Sequence, residues 1–406
     1  MSTTFPEKGL PESQIVSRLD EFQRKSHGDS NGVNHLITGL YHYTGIPDLK
    51  EIAGNALVRF MESNMVSPSE EGPHQMEREV ISMISSLWSS NNGSGFMTSG
   101  GTESNITALW AARNRAKKKH GSVVLPTTAH PSFWKACNFL GLEPVAVPAT
   151  VDHLADVDKM KRAIRDDTVA IVASCGTWPY ATIDPIKQLA EIAEERSLHL
   201  HVDAAIGGLL CPWLKGIYDV PDFDFRVKGV SSISSDPHKM GFSVYPAGAL
   251  VFRDDESLQY AHWESAEIGR KRGYHTYGML GTRPGSSIAA TWAVFNYLGR
   301  EGYVRLSKKC MDVTYRFVNE VEAIPNFRAV TLKPKVNLAS VSSQSLDMDK
   351  IKKNLRDAGW FFWDWRRVST GGFKDENWIV LWASPYHENT IPQFVEDMKK
   401  SATAAS

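Results

Sequence analysis

Short apolar runs that alternate with helical patterns in the middle of the chain constrain the fold more than any other feature. Amphipathic segments at 157–167 and 186–197 separate some of these runs. Near-continuous apolar strands joined by helices predict a mostly parallel sheet covered on both faces, the α/β class. Ligands bind such sheets beyond the carboxyl ends of the strands, so the residues after each run are the candidates for function. The runs are 122–126, 144–149, 168–175, 198–205 and 248–254.

The chain is longer than one small core supports. After a long helical pattern that begins near Ser286, the sequence pattern changes to short strands with two helices. The sequence therefore predicts an N-terminal helical and loop segment over 1–60, a large domain over 61–295 and a small C-terminal domain over 296–406. Short strand patterns with two helical ones predict an α+β fold for the small domain. The terminal SATAAS is expected to fray.

Charge and composition exclude several classes of protein. Lys and Arg number 45 against 46 Asp and Glu, so no basic surface for nucleic acid or an anionic membrane is predicted. No apolar run approaches the ~20 residues of a membrane-spanning helix, and the N-terminus lacks the apolar core of a signal peptide. The cysteines have no metal-ligand spacing and are typical of reduced thiols, which predicts a cytoplasmic protein without a metal site. They are Cys137, Cys175, Cys211 and Cys310.

Two glycines and a hydroxyl residue open a helical pattern in the segment TSGGTESN, 98–105. Gly101 lets the backbone approach a ligand, and Thr102 offers a hydroxyl where free N–H groups and the helix dipole suit a phosphate. A threonine cap with glycines that shape a turn is an equally good interpretation of this segment alone. No Gly-Lys-Ser or Gly-Lys-Thr follows, which disfavours a nucleotide-hydrolysing loop.

A single lysine on a turn after the strand pattern of 231–235 is the candidate nucleophile. Lys239 follows Asp236 and His238, and an amine in such a place can form an imine with a carbonyl group. Taken alone, a lysine is more typical of a solvated surface charge.

Other predicted strand ends carry polar or small side chains. His130 can stack on an aromatic ring or cap the following helix, and Thr177 can donate a hydrogen bond from what is otherwise an ordinary turn. Asp203 ends an apolar run and is followed by small residues that begin with Ala204 and Ala205. A buried carboxylate needs a cationic partner, which is either a protonated pyridine nitrogen or an arginine.

Together these groups match the requirements of pyridoxal 5'-phosphate. Its phosphate needs N–H donors, its ring needs a face partner, its ring nitrogen needs an anion and its aldehyde needs an amine. A separate predicted strand end meets each requirement. The sequence therefore predicts this cofactor.

The combination of motifs resembles the group II pyridoxal phosphate-dependent amino acid decarboxylases, whose fold is that of aspartate aminotransferase (fold type I). The archaeal tyrosine/aspartate decarboxylase branch is the most similar, with the sphingosine-phosphate lyases as neighbours. The resemblance runs roughly from Glu79 to the C-terminus. It is carried by SGGTES (99–104), HVDAAIGG (201–208), DPHKMG (236–241), GTRPGSSIAATWAV (281–294) and PKVNLASV (334–341).

The resemblance implies a role for each candidate residue. Lys239 holds the cofactor as an imine, the internal aldimine, and Asp203 pairs with the ring nitrogen. His130 stacks on the ring, with Ala205 behind it. The remaining implied cofactor contacts in the same chain are Gly101, Thr102, Thr177, Asp236 and His238.

The family also implies an assembly and a reaction. Gly281 and Thr282 contribute to the phosphate site of a neighbouring subunit, which implies a homodimer with the active site at the interface. The implied reaction is decarboxylation of an L-amino acid through an external aldimine and a quinonoid. The alternative is carbon–carbon cleavage with release of an aldehyde, in which Arg283 holds an anionic substrate group or, more simply, forms an interface salt bridge. A minor alternative is a catalytically silent cofactor-binding protein, although Lys239 and Asp203 are both present.

Several positions depart from the family pattern where substrate contacts are expected. They are the loop 35–48, Ala181 in place of a common glycine, and Trp378 in place of a basic residue. The segment 258–280, rich in Tyr and His, is predicted to close over the site and deliver a proton. Aromatic residues such as those of 360–365 fit either a pocket or a core.

Overall fold

The computed structural model describes seven stretches of the chain. They are 8–27, 36–37, 46–64, 71–90, 93–265, 274–367 and 376–405. Helices α1 (Glu12–His27), α2 (Pro47–Arg59) and α3 (Glu71–Leu87) come first. Most of the loop 35–48 lies outside the described residues.

A seven-stranded sheet forms the centre of the large domain. Its strands are β1 (Gly95–Thr98), β2 (Gly121–Pro126), β3 (Leu142–Val147), β4 (Thr168–Ser174), β5 (His199–Asp203), β6 (Val230–Ser235) and β7 (Gly248–Phe252). Their order is β1-β7-β6-β5-β4-β2-β3. Strand β7 is antiparallel to both of its neighbours and every other pair is parallel. The prediction of a mostly parallel α/β sheet is confirmed.

Helices cover this sheet and explain its apolar strands. Every residue of β2, β4, β5 and β7 is buried, as expected for strands packed on both faces. Among the covering helices, the one in the 186–197 segment shows a clear apolar face, on which Leu189, Ile192 and Ala193 are buried. The helices are α4 (Gly101–Arg115), α5 (Ser132–Leu140), α6 (Val157–Ala163), α7 (Ile186–Glu195), α8 (Cys211–Leu214) and α9 (Asp255–Gln259). A hairpin of β8 (His262–Ser265) and β9 (Tyr274–Tyr277) follows.

A long helix, α10 (Gly285–Glu322), leads from the large sheet to a small C-terminal domain. It is kinked at Gly299, whose φ of 54° and ψ of −175° are not helical. The predicted boundary at 295/296 falls inside α10, ahead of this kink. Both predicted domain boundaries stay predictions.

The small domain has a four-stranded antiparallel sheet in the order β10-β11-β13-β12. Its elements are β10 (Phe327–Ala329), β11 (Leu338–Ser343), α11 (Met348–Asp357), β12 (Trp363–Arg367), β13 (Glu376–Trp382) and α12 (Ile391–Ala405). The expected fraying of the tail is wrong, because α12 continues to Ala405 and buries Ser401 and Ala402. In the described parts of the chain, no helix combines the length and apolar character needed to cross a membrane.

Candidate active site

The carboxyl ends of five strands meet at one edge of the large sheet. Because β7 is antiparallel to both neighbours, β1 and β6 point in the same direction as β2, β4 and β5. A cavity of about 600 Å³ opens at this edge, and residues of β12 and β13 close its other side. The predicted site residues that line it are Gly101, Thr102, His130, Thr177, Asp203, Ala205, Asp236, His238 and Lys239.

The turn after β6 places an amine against a buried carboxylate. The Nζ atom of Lys239 lies 2.9 Å from Asp236 Oδ2, and His238 Nε2 lies 3.5 Å from the same oxygen. The N–H of Ala247 donates to His238 Nδ1 at 3.1 Å, so the ring proton of a neutral His238 is on Nε2, facing Asp236. Burial opposes ionisation of Asp236, but Lys239 and His238 hold the pKa of this carboxyl below its usual value.

Asp203 is buried and accepts hydrogen bonds on both oxygens. The N–H of Ala205 donates to Oδ1 at 3.0 Å, and Asn105 Nδ2 donates to Oδ2 at 2.9 Å. No arginine in the described chain pairs with it, so the arginine alternative considered for this carboxylate is wrong within those residues. Sequence reasoning did not single out Asn105, although it belongs to the TSGGTESN motif.

His130 contacts the start of the following helix and also faces the cavity, so its stacking on a ligand ring stays a prediction. The N–H of Ser132 donates to His130 Nδ1 at 3.2 Å, so the imidazole caps the start of α5. The same ring is exposed to the cavity. Burial of the site lowers the pKa of His130, partly offset by the charge of Asp203, which favours a neutral ring at neutral pH.

Thr177 lies in a tight turn after β4. Its hydroxyl is 2.5 Å from that of Thr182 and accepts from the Thr182 N–H at 3.1 Å. Ala181 in this turn has a φ of 60°, a left-handed conformation that glycine adopts more easily. Ala181 is buried and does not line the cavity, so the expected substrate contact at this position is wrong and the departure concerns backbone conformation.

Four tryptophans form a wall on the side of the cavity next to the small domain. The rings of Trp178 and Trp382 are 5.1 Å apart between centroids, and those of Trp178 and Trp363 are 6.2 Å apart. The Nζ atom of Lys239 lies 5.7 Å from the Trp382 ring centroid. Trp365 completes the set, which we call the tryptophan wall.

The aromatic segment 360–365 divides between pocket and core. Trp360 and Phe362 are buried against Phe394 of α12, while Trp363 and Trp365 line the cavity. Trp378 also packs in the interior, 5.5 Å from the ring of Tyr180. It does not line the cavity, so the expected substrate contact of Trp378 is wrong too.

The remaining predicted residues lie away from this cavity. Gly281 and Thr282 are between β9 and α10, outside the cavity lining of their own chain. Arg283 donates to Glu77 through two nitrogens and to Met97 O at 2.7 Å, so its salt bridge is within the chain rather than at an interface. Of the segment 258–280, residues 266–273 lie outside the described structure, and none of the described ones lines the cavity.

Comparison with known proteins assigns the family. The sequence model of the pyridoxal-dependent decarboxylase conserved domain matches residues 32–344. The chain belongs to the pyridoxal-dependent decarboxylase family. It is 36% identical over 359 residues to a probable L-aspartate decarboxylase of Pyrococcus abyssi, which covers 88% of this chain and 90% of the relative. It is 39% identical over 334 residues to a probable L-tyrosine/L-aspartate decarboxylase of Methanosphaerula palustris, which covers 82% and 87%.

Solved structures agree with this assignment. The sphingosine-1-phosphate lyase of Burkholderia pseudomallei has a TM-score of 0.90 at 27% identity, over 100% of this chain and 93% of the other. A glutamate decarboxylase of Lactobacillus brevis has a TM-score of 0.84 at 18% identity, which supports the fold alone. The decarboxylase is therefore a fold type I, pyridoxal phosphate-dependent carboxy-lyase that acts on an amino acid, as the sequence predicts.

Proposed function

We propose that this decarboxylase acts on an L-amino acid with an aromatic side chain and releases the corresponding amine. The tryptophan wall supports this choice of substrate, because four indole rings on one side of the cavity offer apolar contacts to another aromatic ring. Among the described residues that line the cavity, Lys239 is the one lysine or arginine, and it is paired with Asp236. A second substrate carboxylate would be buried there without a cationic partner, at a high cost in free energy.

Charge behind the tryptophan wall supports the same choice. Glu376 accepts from Trp365 Nε1 at 2.6 Å and from the Tyr180 hydroxyl at 3.2 Å. This carboxylate repels an acidic side chain and leaves an aromatic one unaffected. The Methanosphaerula relative is a probable L-tyrosine/L-aspartate decarboxylase, so an aromatic substrate is compatible with the family.

The residues at the strand ends fit pyridoxal phosphate. A Cβ atom added to Gly100 would lie 2.9 Å from the His238 ring, and one added to Gly101 would lie 3.1 Å from Asp236 Oδ2. Glycines therefore keep open the space in front of the α4 N-terminus, where unpaired N–H groups suit a phosphate. Asp236 Oδ1 is buried and has no hydrogen-bond partner among the described residues, which leaves it free for a donor on a bound group.

Each of these residues would contact a different part of the cofactor. Lys239 would hold the aldehyde carbon, Asp203 would face the ring nitrogen, and Gly101 and Thr102 would bind the phosphate. His130 would lie on the ring. Pyridoxal phosphate, when bound, supplies an electron sink for the pair left behind as carbon dioxide departs.

The surrounding side chains orient the amine and exclude water. Asp236 fixes Lys239 Nζ through their 2.9 Å contact, and the ring centroid of Trp382 lies 5.7 Å from the same nitrogen. The Ser132 N–H occupies His130 Nδ1, so a neutral His130 carries its proton on Nε2. The Tyr and His residues of 258–280 remain predicted proton donors.

The experiment is a product assay on the purified holoenzyme. L-tyrosine, L-tryptophan and L-phenylalanine are compared with L-aspartate and L-glutamate by release of carbon dioxide and by mass spectrometry of the amine. Preference for an aromatic substrate is expected in kcat/KM. Faster turnover of aspartate than of any aromatic amino acid would overturn the substrate proposal.

A matched pair of variants tests the tryptophan wall directly. Trp363 and Trp263 are 46% and 45% exposed, but Trp363 lines the cavity and Trp263 does not. Trp363→Leu removes about 1 kcal/mol of aromatic contact, which lowers kcat/KM for the aromatic substrate roughly fivefold. Trp263→Leu leaves it unchanged. Equal effects of the two variants would contradict the wall's role.

Carbon–carbon cleavage is the second candidate, favoured by the likeness to the Burkholderia lyase. The arginine considered for an anionic substrate group is not available in this chain, because Arg283 is bound to Glu77. The product assay separates the two reactions. Release of an aldehyde from a β-hydroxy amine, without carbon dioxide from any amino acid, would favour the lyase.

The proposal includes a homodimer that shares its active sites. Helix α1 supports it, because its apolar residues Ile15, Val16, Leu19 and Phe22 are all exposed in the single chain. Light scattering should give twice the chain mass. Mixing inactive Lys239→Ala with inactive Thr282→Glu should restore activity, because one site of the mixed dimer would be intact. A monomer with full activity, or no restoration, would contradict the shared site.

A further inference from the structure

A continuous chain of hydrogen bonds runs from Asp203 into the interior, behind the cavity. Asn105 Nδ2 donates to Asp203 Oδ2 at 2.9 Å, and His201 Nε2 lies 3.0 Å from Asn105 Oδ1. Ser232 Oγ lies 2.8 Å from His201 Nδ1 and 2.7 Å from His199 Nε2. All of these side chains are buried, so no solvent competes for their hydrogen bonds.

The chemistry of the groups fixes the direction of every bond in the chain. A carboxylate only accepts, so Asn105 must present its amide nitrogen to Asp203 and its oxygen to His201. The amide oxygen also only accepts, so His201 carries its proton on Nε2. His201 Nδ1 then accepts from the Ser232 hydroxyl, and that hydroxyl accepts from His199 Nε2. Every donor in the chain therefore points toward Asp203.

Further contacts hold Asn105 in this orientation. Ser234 Oγ donates to its oxygen at 3.0 Å, and its nitrogen also donates to Ser132 Oγ at 2.9 Å. Burial lowers the pKa of His201 to about 3, so the ring stays neutral and keeps one tautomer at neutral pH. Aligned hydrogen bonds polarise one another, so the chain strengthens the donor that Asp203 receives.

We propose that Asn105 and His201 are positioning residues that hold the Asp203 side chain oriented toward the pyridine nitrogen of the cofactor. The inference rests on the role given to Asp203 in the proposed function. The amide of Asn105 separates the imidazole from the carboxylate. The chain therefore acts by orientation and polarisation rather than by carrying protons.

The test reads the pyridine nitrogen itself. The holoenzyme is prepared with pyridoxal phosphate labelled with ¹⁵N in the ring, and its ¹⁵N chemical shift is measured at one fixed pH. The wild-type enzyme should show a protonated ring nitrogen. Asn105→Ala and His201→Phe should move the shift toward the unprotonated position and lower kcat roughly tenfold, with little change in KM.

His199→Phe is the matched control, the same change two residues earlier on β5. Ser232 still donates to His201 in this variant, so the ¹⁵N shift should stay near its wild-type value. An unchanged shift in both Asn105→Ala and His201→Phe would overturn the proposal. A second measurement needs no variant: ¹⁵N-histidine spectra of the wild-type enzyme should show His201 neutral with its proton on Nε2, and the opposite tautomer would overturn the proposal too.

The variant Asp203→Asn shows whether a negative result contradicts the proposed role of Asp203 or only the proposed roles of Asn105 and His201. If the ring nitrogen stays protonated in Asp203→Asn, the role of Asp203 itself is wrong. If Asp203→Asn loses the protonated form while Asn105→Ala and His201→Phe keep it, this inference alone fails.

Discussion

Three buried histidines should make the enzyme lose stability steeply in mild acid. Burial lowers the pKa of His199 and of His201 to about 3, and that of His387 to about 4. In the unfolded chain a histidine has a pKa of about 6.5. Below that pH these three histidines are therefore protonated in the unfolded chain but stay neutral in the folded protein. Their contribution to stability is fully present above pH 6.5 and is lost as the pH falls toward the folded pKa values.

The size of the effect follows from these pKa values. At pH 5 each histidine costs about 2 kcal/mol relative to neutral pH, and the three together cost about 6 kcal/mol. Asp184 acts in the opposite direction. Burial raises the pKa of its carboxyl to about 6, although two backbone N–H donors favour the ionised form and lower the pKa. Its protonation in the folded state raises the free energy of unfolding at pH 5 by about 1 kcal/mol. The net loss of 4–5 kcal/mol, roughly, is a large share of a typical unfolding free energy of about 5–15 kcal/mol.

The assay is urea unfolding of the holoenzyme at pH 7 and pH 5, at one protein concentration and with saturating cofactor. His387→Asn provides the test variant, because an amide oxygen can accept from the Ser384 N–H, as His387 Nδ1 does at 2.9 Å, without titrating. Between pH 7 and pH 5, the free energy of unfolding of His387→Asn should fall by about 2 kcal/mol less than that of the wild type. His120→Asn, at an exposed histidine, should keep the wild-type loss. A full wild-type loss in His387→Asn would refute the reasoning.

Two further predictions concern packing and a buried ion pair. A Cβ atom at Gly207 would lie 2.5 Å from both the oxygen and the sulfur of Cys175, so Gly207→Ala should lower the melting temperature and weaken cofactor binding. Gly54→Ala, in an open helical position, should not lower the melting temperature, and a similar loss there would contradict the steric argument. Glu77→Ala leaves the guanidinium of Arg283 buried without its carboxylate and should cost about 3–5 kcal/mol in urea unfolding. Glu77→Gln keeps an acceptor and should cost less, so equal losses would show that the ion pair is unimportant.

The cofactor side of the site could be predicted because its residues are local to the strands that position them. His130, Thr177, Asp203 and Lys239 each follow an apolar run or strand pattern, and parallel strands end at the same edge of a sheet. Recognising the runs was therefore sufficient to bring these residues together. The exact partners of each side chain did not follow from the pattern.

Other parts of the site depend on contacts between distant segments. Asn105 and Asp203 are 98 residues apart, and the pattern around neither one predicts their hydrogen bond. The left-handed backbone of Ala181 is invisible in sequence, since alanine rarely adopts it. The tryptophan wall needs the small domain to pack against the large sheet, and periodicity describes elements rather than how they meet.

This separation has a consequence for how the enzyme can change substrate. The residues proposed to hold the cofactor lie at strand ends of the large sheet, whereas three of the four tryptophans come from β12 and β13 of the small domain. Substitutions in those strands can reshape the substrate side without moving the cofactor side. Trp363 fits this description, since it meets the cavity at an exposed edge. Trp382 does not, because its ring lies against Lys239, so a change there should alter cofactor chemistry and substrate preference together.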